Sequence, residues 1–230
     1  MTKPVLVSYP KSGRTWTRIM LDGLGKINDY QFHHGRLKPR FANNRTIDST
    51  CLTDRNVIFL YRNPLDVVVS EFYASKYAAT GMGWKGDIDS YIRHQDGKHF
   101  RWIVNHHRDS LSILHARFIS YENMLENGPQ TLEKMFVHWG WEVDTDEIQR
   151  VYEECSFENL KDKTNADFPT KYFLGPPVDE LPNRENRKVR EGKANNYHKH
   201  LNEDQISYLQ SILDEYNYAD TLSTLRAREL

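Results

Sequence analysis

Tyr9-Pro10-Lys11-Ser12-Gly13-Arg14-Thr15-Trp16 joins two segments of different periodicity. Upstream, Pro4 to Tyr9 (Pro-Val-Leu-Val-Ser-Tyr) is a short apolar run closed by Pro10 and Gly13, which is the pattern of a buried strand. Downstream, Trp16, Ile19, Met20 and Leu24 recur at helical spacing, and Gly25 supplies a stop. A strand, a tight turn and a helix in succession point backbone N–H groups and the positive end of the helix dipole at one place. An anion is stabilised there, and Lys11 adds a full charge. The lysine precedes the glycine, and the spacing G-x-x-x-x-G-K-[ST] is absent, so this is not a Walker A loop. A lysine ahead of the turn reaches the bridging oxygen of a leaving group rather than the β- and γ-phosphates of a nucleoside triphosphate.

The same junction recurs further along. Asn56 to Tyr61 reads as a second buried strand. Asn63-Pro64-Leu65-Asp66 then starts a helix running to about Ala79, with Asn as cap, Pro in the first turn and Asp beside the positive dipole end. Arg62 sits at the carboxyl edge of that strand, where open α/β sheets bind ligands. Ser70 lies two turns into the helix on the side of its start, so an arginine fork and a hydroxyl converge on one phosphate. Ala116 to Tyr121 is a third strand. Helices are expected near 87–110, 129–140 and 144–154, and a helix over 202–217 closes the chain. Residues 26–55 read as polar and irregular. Residues 162–200 hold Pro169, Pro176, Pro177 and Pro182 with weak periodicity, which suggests a lid or binding loop. Strands alternating with helices predict an α/β fold, a single domain over residues 1–230 with a central, mainly parallel sheet flanked by helices.

Composition narrows the function classes. With 31 Lys+Arg against 32 Asp+Glu the net charge is −1, which argues against a nucleic-acid coat while allowing a local cationic pocket. Two cysteines, Cys51 and Cys155, give no disulfide framework and suit a reducing, cytoplasmic setting. No run approaches the roughly 18 apolar residues of a membrane span. No His/Cys/Asp group has metal-ligand spacing, so no metal is expected.

The first loop resembles the 5′-phosphosulfate loop, YPKSGTTW, of sulfotransferases that use 3′-phosphoadenosine-5′-phosphosulfate (PAPS). Arg14 stands where the family carries Thr, replacing a hydroxyl donor by a cation. Arg62 to Ser70 is similar to the family's 3′-phosphate motif, RNPxDxxVS, at every defining position. The resemblance implies a P-loop-like fold, with PAPS as cofactor and 3′,5′-bisphosphoadenosine as product. It implies that Lys11, Ser12, Gly13, Arg14, Thr15 and Trp16 hold the phosphosulfate end, and Arg62 and Ser70 the 3′-phosphate. Val189 to Tyr197 resembles the family's RKGxxGDW loop through Arg190 and Gly192. There Glu191 stands for Lys, Asn195-Asn196 for Gly-Asp and Tyr197 for Trp; a shifted register would use Arg187-Lys188 instead. Trp16, Tyr121, Ser156 and Phe157 fall, in order, where the family holds the nucleoside, and Cys155 replaces a family Thr.

Transfer to a hydroxyl calls for a base within hydrogen-bond reach, and histidine suits neutral pH. His33 and His34 lie between the two phosphate motifs, where the family places its catalytic histidine, with His34 ahead of His33. His106-His107 and His198 to His200 read as solvated surface. Lys11 and Ser70 complete the expected catalytic set. The acceptor is a small molecule or carbohydrate carrying a hydroxyl or an amine, and oligomeric state is not legible. Two other readings stay open: a P-loop nucleotide or small-molecule kinase, which lacks its γ-phosphate loop here, and a nucleotide-binding homologue without catalysis.

Overall fold

The computed structural model describes residues 2–34, 47, 50, 52–76, 83–161, 163, 167 and 191–230. Its centre is a parallel sheet of β1 (Val5–Ser8), β2 (Gln31–His33), β3 (Val57–Tyr61) and β4 (Arg117–Ser120), in the order β2-β1-β3-β4. The two central strands are buried at every position. Successive side chains of a strand point to opposite faces, so a continuous apolar run requires cover on both. On one face Leu6, Ile58, Leu60 and Ile119 pack with α1 (Arg14–Gly23), α6 (Gly128–Trp139) and α7 (Thr145–Glu154) through Met20, Leu132, Met135 and Val151. On the other, Val5, Val7, Val57, Phe59 and Phe118 meet Leu52, Ile113 and Leu225. A further apolar cluster joins α2 (Pro64–Lys76), α3 (Ile88–Arg93), α4 (Lys98–Ser110) and α9 (Glu203–Glu215) through Val68, Phe72, Ile92, Phe100 and Leu209. The free edge of β4 is paired by the backbone of residues 228–230, where Phe118 N–H donates to Arg228 and Leu230 N–H returns to Phe118.

The expected three-strand α/β pattern is present, with five differences. The stretch expected to be irregular contains β2. Gln31 and Phe32 are exposed, so no apolar run marks this edge strand; backbone pairing carries it, from Gln31 N–H to the Pro4 carbonyl onward. The helix expected over 87–110 is two helices, because Gln95, Asp96 and Gly97 all take positive φ (46°, 57° and 71°). The helix expected to close the chain ends at Glu215, and α10 (Tyr218–Ala227) follows a turn at Asn217, whose φ is 49°. Finally, His106 and His107 are fully buried rather than solvated. They continue the inward face Phe100, Ile103, Val104 by one turn, a spacing visible in the sequence. Both rings meet Phe59, and His107 shares a hydrogen bond with the Tyr218 hydroxyl at 2.8 Å. His200 also departs from the solvated reading, as its Nδ1 lies 3.0 Å from the Tyr73 hydroxyl and its Nε2 3.3 Å from Glu191. The shorter helices α5 (Tyr121–Glu126) and α8 (Phe157–Leu160) complete the order between β4 and residue 160. Among the described residues no helix is long and apolar enough to cross a membrane.

Burial, together with neighbouring His106, pushes His107 down to about 3. Burial, then the charges of Arg14 and Arg55, pushes His33 down to about 4. Below the ordinary histidine value of 6.5 the unfolded chain takes up protons that the folded chain refuses. Stability therefore rises with pH across this window and is lost as pH falls from about 6.5 toward 4. The urea midpoint is expected to drop over that range, and His107→Gln to flatten the drop; identical slopes in both proteins would show that His107 is not the group responsible.

Candidate functional site

At the carboxyl ends of β1 and β3 a cavity of about 250 Å³ opens between the two strand–helix junctions. The first loop crosses its floor. Lys11 (φ 72°) and Gly13 (φ 98°) both take the left-handed region, which turns the chain sharply from β1 into α1. Gly13 caps α1 and cannot carry a side chain: a Cβ there would lie 2.5 Å from Cδ2 of Tyr121. Tyr121 is thus seated against the loop. Trp16 meets it edge-on, with centroids 5.8 Å apart, and is fixed by donating from Nε1 to the Cys155 carbonyl at 2.7 Å.

The second junction forms the next wall. Asn63 caps α2 through its side chain, which accepts from Leu65 N–H, while its own N–H donates to Glu122 at 2.9 Å. Burial is the main influence on Glu122 and raises its carboxyl above the usual range. Arg62 lies over the Tyr121 ring, 4.3 Å from the centroid, and donates to the Lys193 carbonyl at 3.0 Å. Ser70 lines the same cavity one and a half turns into α2. Asp66, only 3% exposed, was expected simply to favour the helix dipole. Its carboxylate instead accepts from Asn195 N–H at 2.7 Å and Tyr197 N–H at 2.9 Å, and lies 3.4 Å from Arg62. This binds the third segment to the second junction. Gly192 closes the wall against Phe157, where a Cβ would lie 2.6 Å from the Phe157 Cβ and 2.8 Å from the ring.

Of the residues singled out from sequence, the cavity gathers Lys11, Gly13, Arg14, Thr15, Trp16, His34, Arg62, Ser70, Tyr121, Phe157 and Gly192. Ser12 is buried beneath the loop. Ser156 caps α8, accepting from Asn159 N–H, and does not line the cavity. His33 belongs to β2, paired with Val7, and is likewise off the wall. Arg190 and the alternative pair Arg187-Lys188 lie outside the described residues. Sequence reasoning did not single out Asp66, Leu125, Leu160, Lys193 or Asn196 as wall residues. Asp66 had a signal in its place in the RNPxD run, and Lys193 and Asn196 in theirs within the Val189–Tyr197 segment; Leu125 and Leu160 had none.

His34 sits at the cavity mouth with a defined tautomer. Its Nδ1 is 2.8 Å from the Ser8 carbonyl, which can only accept, so Nδ1 carries the proton. Nε2 lies 2.6 Å from Nη2 of Arg14. Among the described residues, Ser8 Oγ and Ser12 Oγ at the first junction are buried without a hydrogen-bond partner, and so are two guanidinium nitrogens of the cavity residues, Arg14 Nη1 and Arg62 Nε. Together with Lys11 and the first turn of α1 they give the cavity two cationic ends, with an aromatic and aliphatic wall of Trp16, Tyr121, Leu125, Phe157 and Leu160 between. Such a lining suits an elongated ligand anionic at two points with a flat apolar body. Among the described residues no cluster of His, Cys, Asp and Glu is arranged to hold a metal.

Comparison with known proteins gives the family and the fold. A sequence model described as the sulfotransferase domain matches residues 38–221, a span that begins after the first loop. An amine sulfotransferase of the rabbit, Oryctolagus cuniculus, is 22% identical over 245 aligned positions, which cover 91% of this chain and 79% of that protein. A mouse sulfotransferase complexed with PAP superposes with a TM-score of 0.68 at 17% identity, over 98% of this chain and 87% of its own. Retinol dehydratase in complex with androsterone and the inactive cofactor PAP gives 0.67 at 14% identity, over 93% and 80%. These structural likenesses are of fold.

Among the described residues, Asp66 is the only side chain bonded to both turn amides. Hydrogen bonds to a charged acceptor are worth about 1.5–3 kcal/mol, so Asp66→Ala is expected to speed hydrogen exchange at the Asn195 and Tyr197 amides by roughly 10–100-fold. Unchanged protection at both amides would mean the turn is held by other contacts.

Proposed function

The chain belongs to the sulfotransferase domain family, and on that premise we propose that it moves a sulfuryl group from PAPS to a hydroxyl or amine of a small-molecule or carbohydrate acceptor. The observation that carries the donor assignment is the convergence of two separate strand–helix junctions, the Lys11–Trp16 loop and the Arg62–Ser70 segment, on one cavity. The partnerless guanidinium nitrogens Arg14 Nη1 and Arg62 Nε, one at each junction, fit a ligand with phosphate at two places. A triphosphate would need only one such cradle.

PAPS, when bound, supplies a sulfuryl group carried on a phosphate leaving group. Lys11, Thr15 and the first-turn amides of α1 would hold the phosphosulfate end, and Arg62 with Ser70 the 3′-phosphate. Trp16, Tyr121 and Phe157 would offer ring faces and edges to the adenine; stacking of this kind contributes about 1–3 kcal/mol. In this reading His34 is the base and takes the acceptor proton at Nε2, since Nδ1–H is committed to the Ser8 carbonyl. Lys11 meets the negative charge that develops on the leaving phosphate. His33 is a poorer base, because it is off the cavity wall and its ring resists protonation until about pH 4. The rabbit relative is named for amines, and retinol dehydratase was solved with a steroid, so the acceptor screen should span both amines and hydroxyls.

Two measurements test the proposal. Calorimetric titration without metal should give tight binding of 3′,5′-bisphosphoadenosine and little heat with ATP or 5′-AMP; preference for ATP would overturn the donor assignment in favour of a kinase. Lys11→Ala should lower turnover by about 10²–10³ while changing bisphosphate affinity far less. Loss of binding with turnover of the bound complex preserved would show that Lys11 is a binding group only.

A further inference from the structure

We propose that Arg14 is the positioning residue for the base: it holds His34 as a hydrogen-bond acceptor and releases it when a phosphate-bearing ligand fills the first loop. This rests on the reading of His34 and of the cavity given above. Both ring nitrogens of His34 are engaged, Nδ1–H on the Ser8 carbonyl at 2.8 Å and Nε2 on the Arg14 guanidinium at 2.6 Å. A guanidinium only donates, so the Nε2 lone pair that would take an acceptor proton is already used. Protonating Nε2 in this arrangement would turn the hydrogen bond into a contact between two cations.

One of the two must move, and the geometry points to Arg14. His34 is tied twice over, through its ring to β1 and through its own carbonyl, which accepts from Nε2–H of the buried His106 at 3.1 Å. Arg14 is less committed. Among the described residues it has no carboxylate partner and its Nη1 is buried without a hydrogen-bond partner, and it leans on Phe32 with 5.3 Å from guanidinium to ring centroid. Burial and the nearby charge of Arg18 make its own charge costly, lowering it to about 10. It is also the first residue of α1, directly after Gly13, so an anion seated on the loop amides attracts the guanidinium away from the imidazole. Among the described residues, the charged and titratable groups that bond to His34 or share the cavity lining with it are Lys11 and Arg14 from the first loop and α1, His106 from α4, and Arg62, Asp66 and Glu191 on the cavity walls; His33 precedes it in β2. Of these, Arg14 is in hydrogen-bond contact with Nε2. A residue without that reach, such as the threonine in the loop this sequence resembles, leaves the base uncoupled from loop occupancy. Here donor binding would license the base.

The test is a pH series of long-range ¹H–¹⁵N spectra on histidine-labelled protein, His34 being assigned from its loss in His34→Gln. Wild type and Arg14→Thr are compared without ligand and with saturating 3′,5′-bisphosphoadenosine, binding being followed by calorimetry in the same samples. Arg14→Met keeps the stem against Phe32 and repeats the test if Thr weakens the loop. Without ligand, wild-type His34 should be protonated on Nδ1 when neutral. Its second protonation should occur about one pH unit lower than in Arg14→Thr, as expected for a cation in contact. With the bisphosphate the wild-type midpoint should rise to meet that of the variant. Equal midpoints without ligand overturn the contact. A wild-type midpoint that stays low under saturation overturns the release. Absence of binding heat overturns the nucleotide reading and the release together, whereas the ligand-free comparison still decides the contact.

Discussion

A single buried carboxylate joins the parts of this site that the chain supplies from far apart. Asp66 lies inside the second strand–helix junction, yet two of its bonds go to backbone amides some 130 residues later, those of Asn195 and Tyr197. Burying a charge is costly unless it is paired and hydrogen-bonded, and here the cost is offset by two amides and by Arg62 at 3.4 Å. The same contact presents the Lys193 carbonyl to Arg62 and sets Gly192 against Phe157, so the third segment becomes a wall of the cavity. The sheet places the first two junctions side by side because β1 and β3 are neighbours. Nothing in the sheet places the third; Asp66 does, with Arg62 on the Lys193 carbonyl and Asn63 on the Asn195 side chain beside it.

What was legible in the sequence follows from what carries each element. β1, β3 and β4 were readable because burial on both faces demands apolar runs. The two phosphate-type junctions were readable because capping, glycine and charge requirements act within a few residues. β2 was not, since an edge strand with Gln31 and Phe32 exposed leaves no apolar signature. The break between α3 and α4 was hidden because Gln95 and Asp96, non-glycine residues, adopt positive φ there alongside Gly97. His106 and His107 were misread because histidine is polar by type, although their place one turn beyond Phe100, Ile103 and Val104 put them inside. Asp66 shows a further limit: local sequence reports the dipole it can favour and is silent about amides brought in from another segment.

The histidines divide by what surrounds them. His107 and His33 are kept neutral by burial, and they serve packing and strand pairing respectively. His106 uses its Nε2–H to hold the backbone of His34, so the buried helix beneath the sheet edge supports the ring at the cavity mouth. His34 alone combines a fixed tautomer with access to the cavity. Position in the fold, rather than histidine content, separates a base from scaffolding.

The anchoring of Trp16 has an optical consequence. The chain has five tryptophans, and Trp16 is the one that lines the cavity. Its indole is clamped by the Cys155 carbonyl and flanked by Tyr121 and Tyr152, so its emission reports a rigid, shielded setting rather than solvent exposure. Trp139 and Trp141 belong to the apolar cluster under α6 against which Trp16 also packs, but neither lines the cavity, and Trp84 and Trp102 pack with the helices beyond α2. A change in fluorescence on filling the cavity therefore arises from a single site whose surroundings are known, and Trp16→Phe provides its dark reference. The protein carries its own probe at the wall where ligand chemistry is to be read.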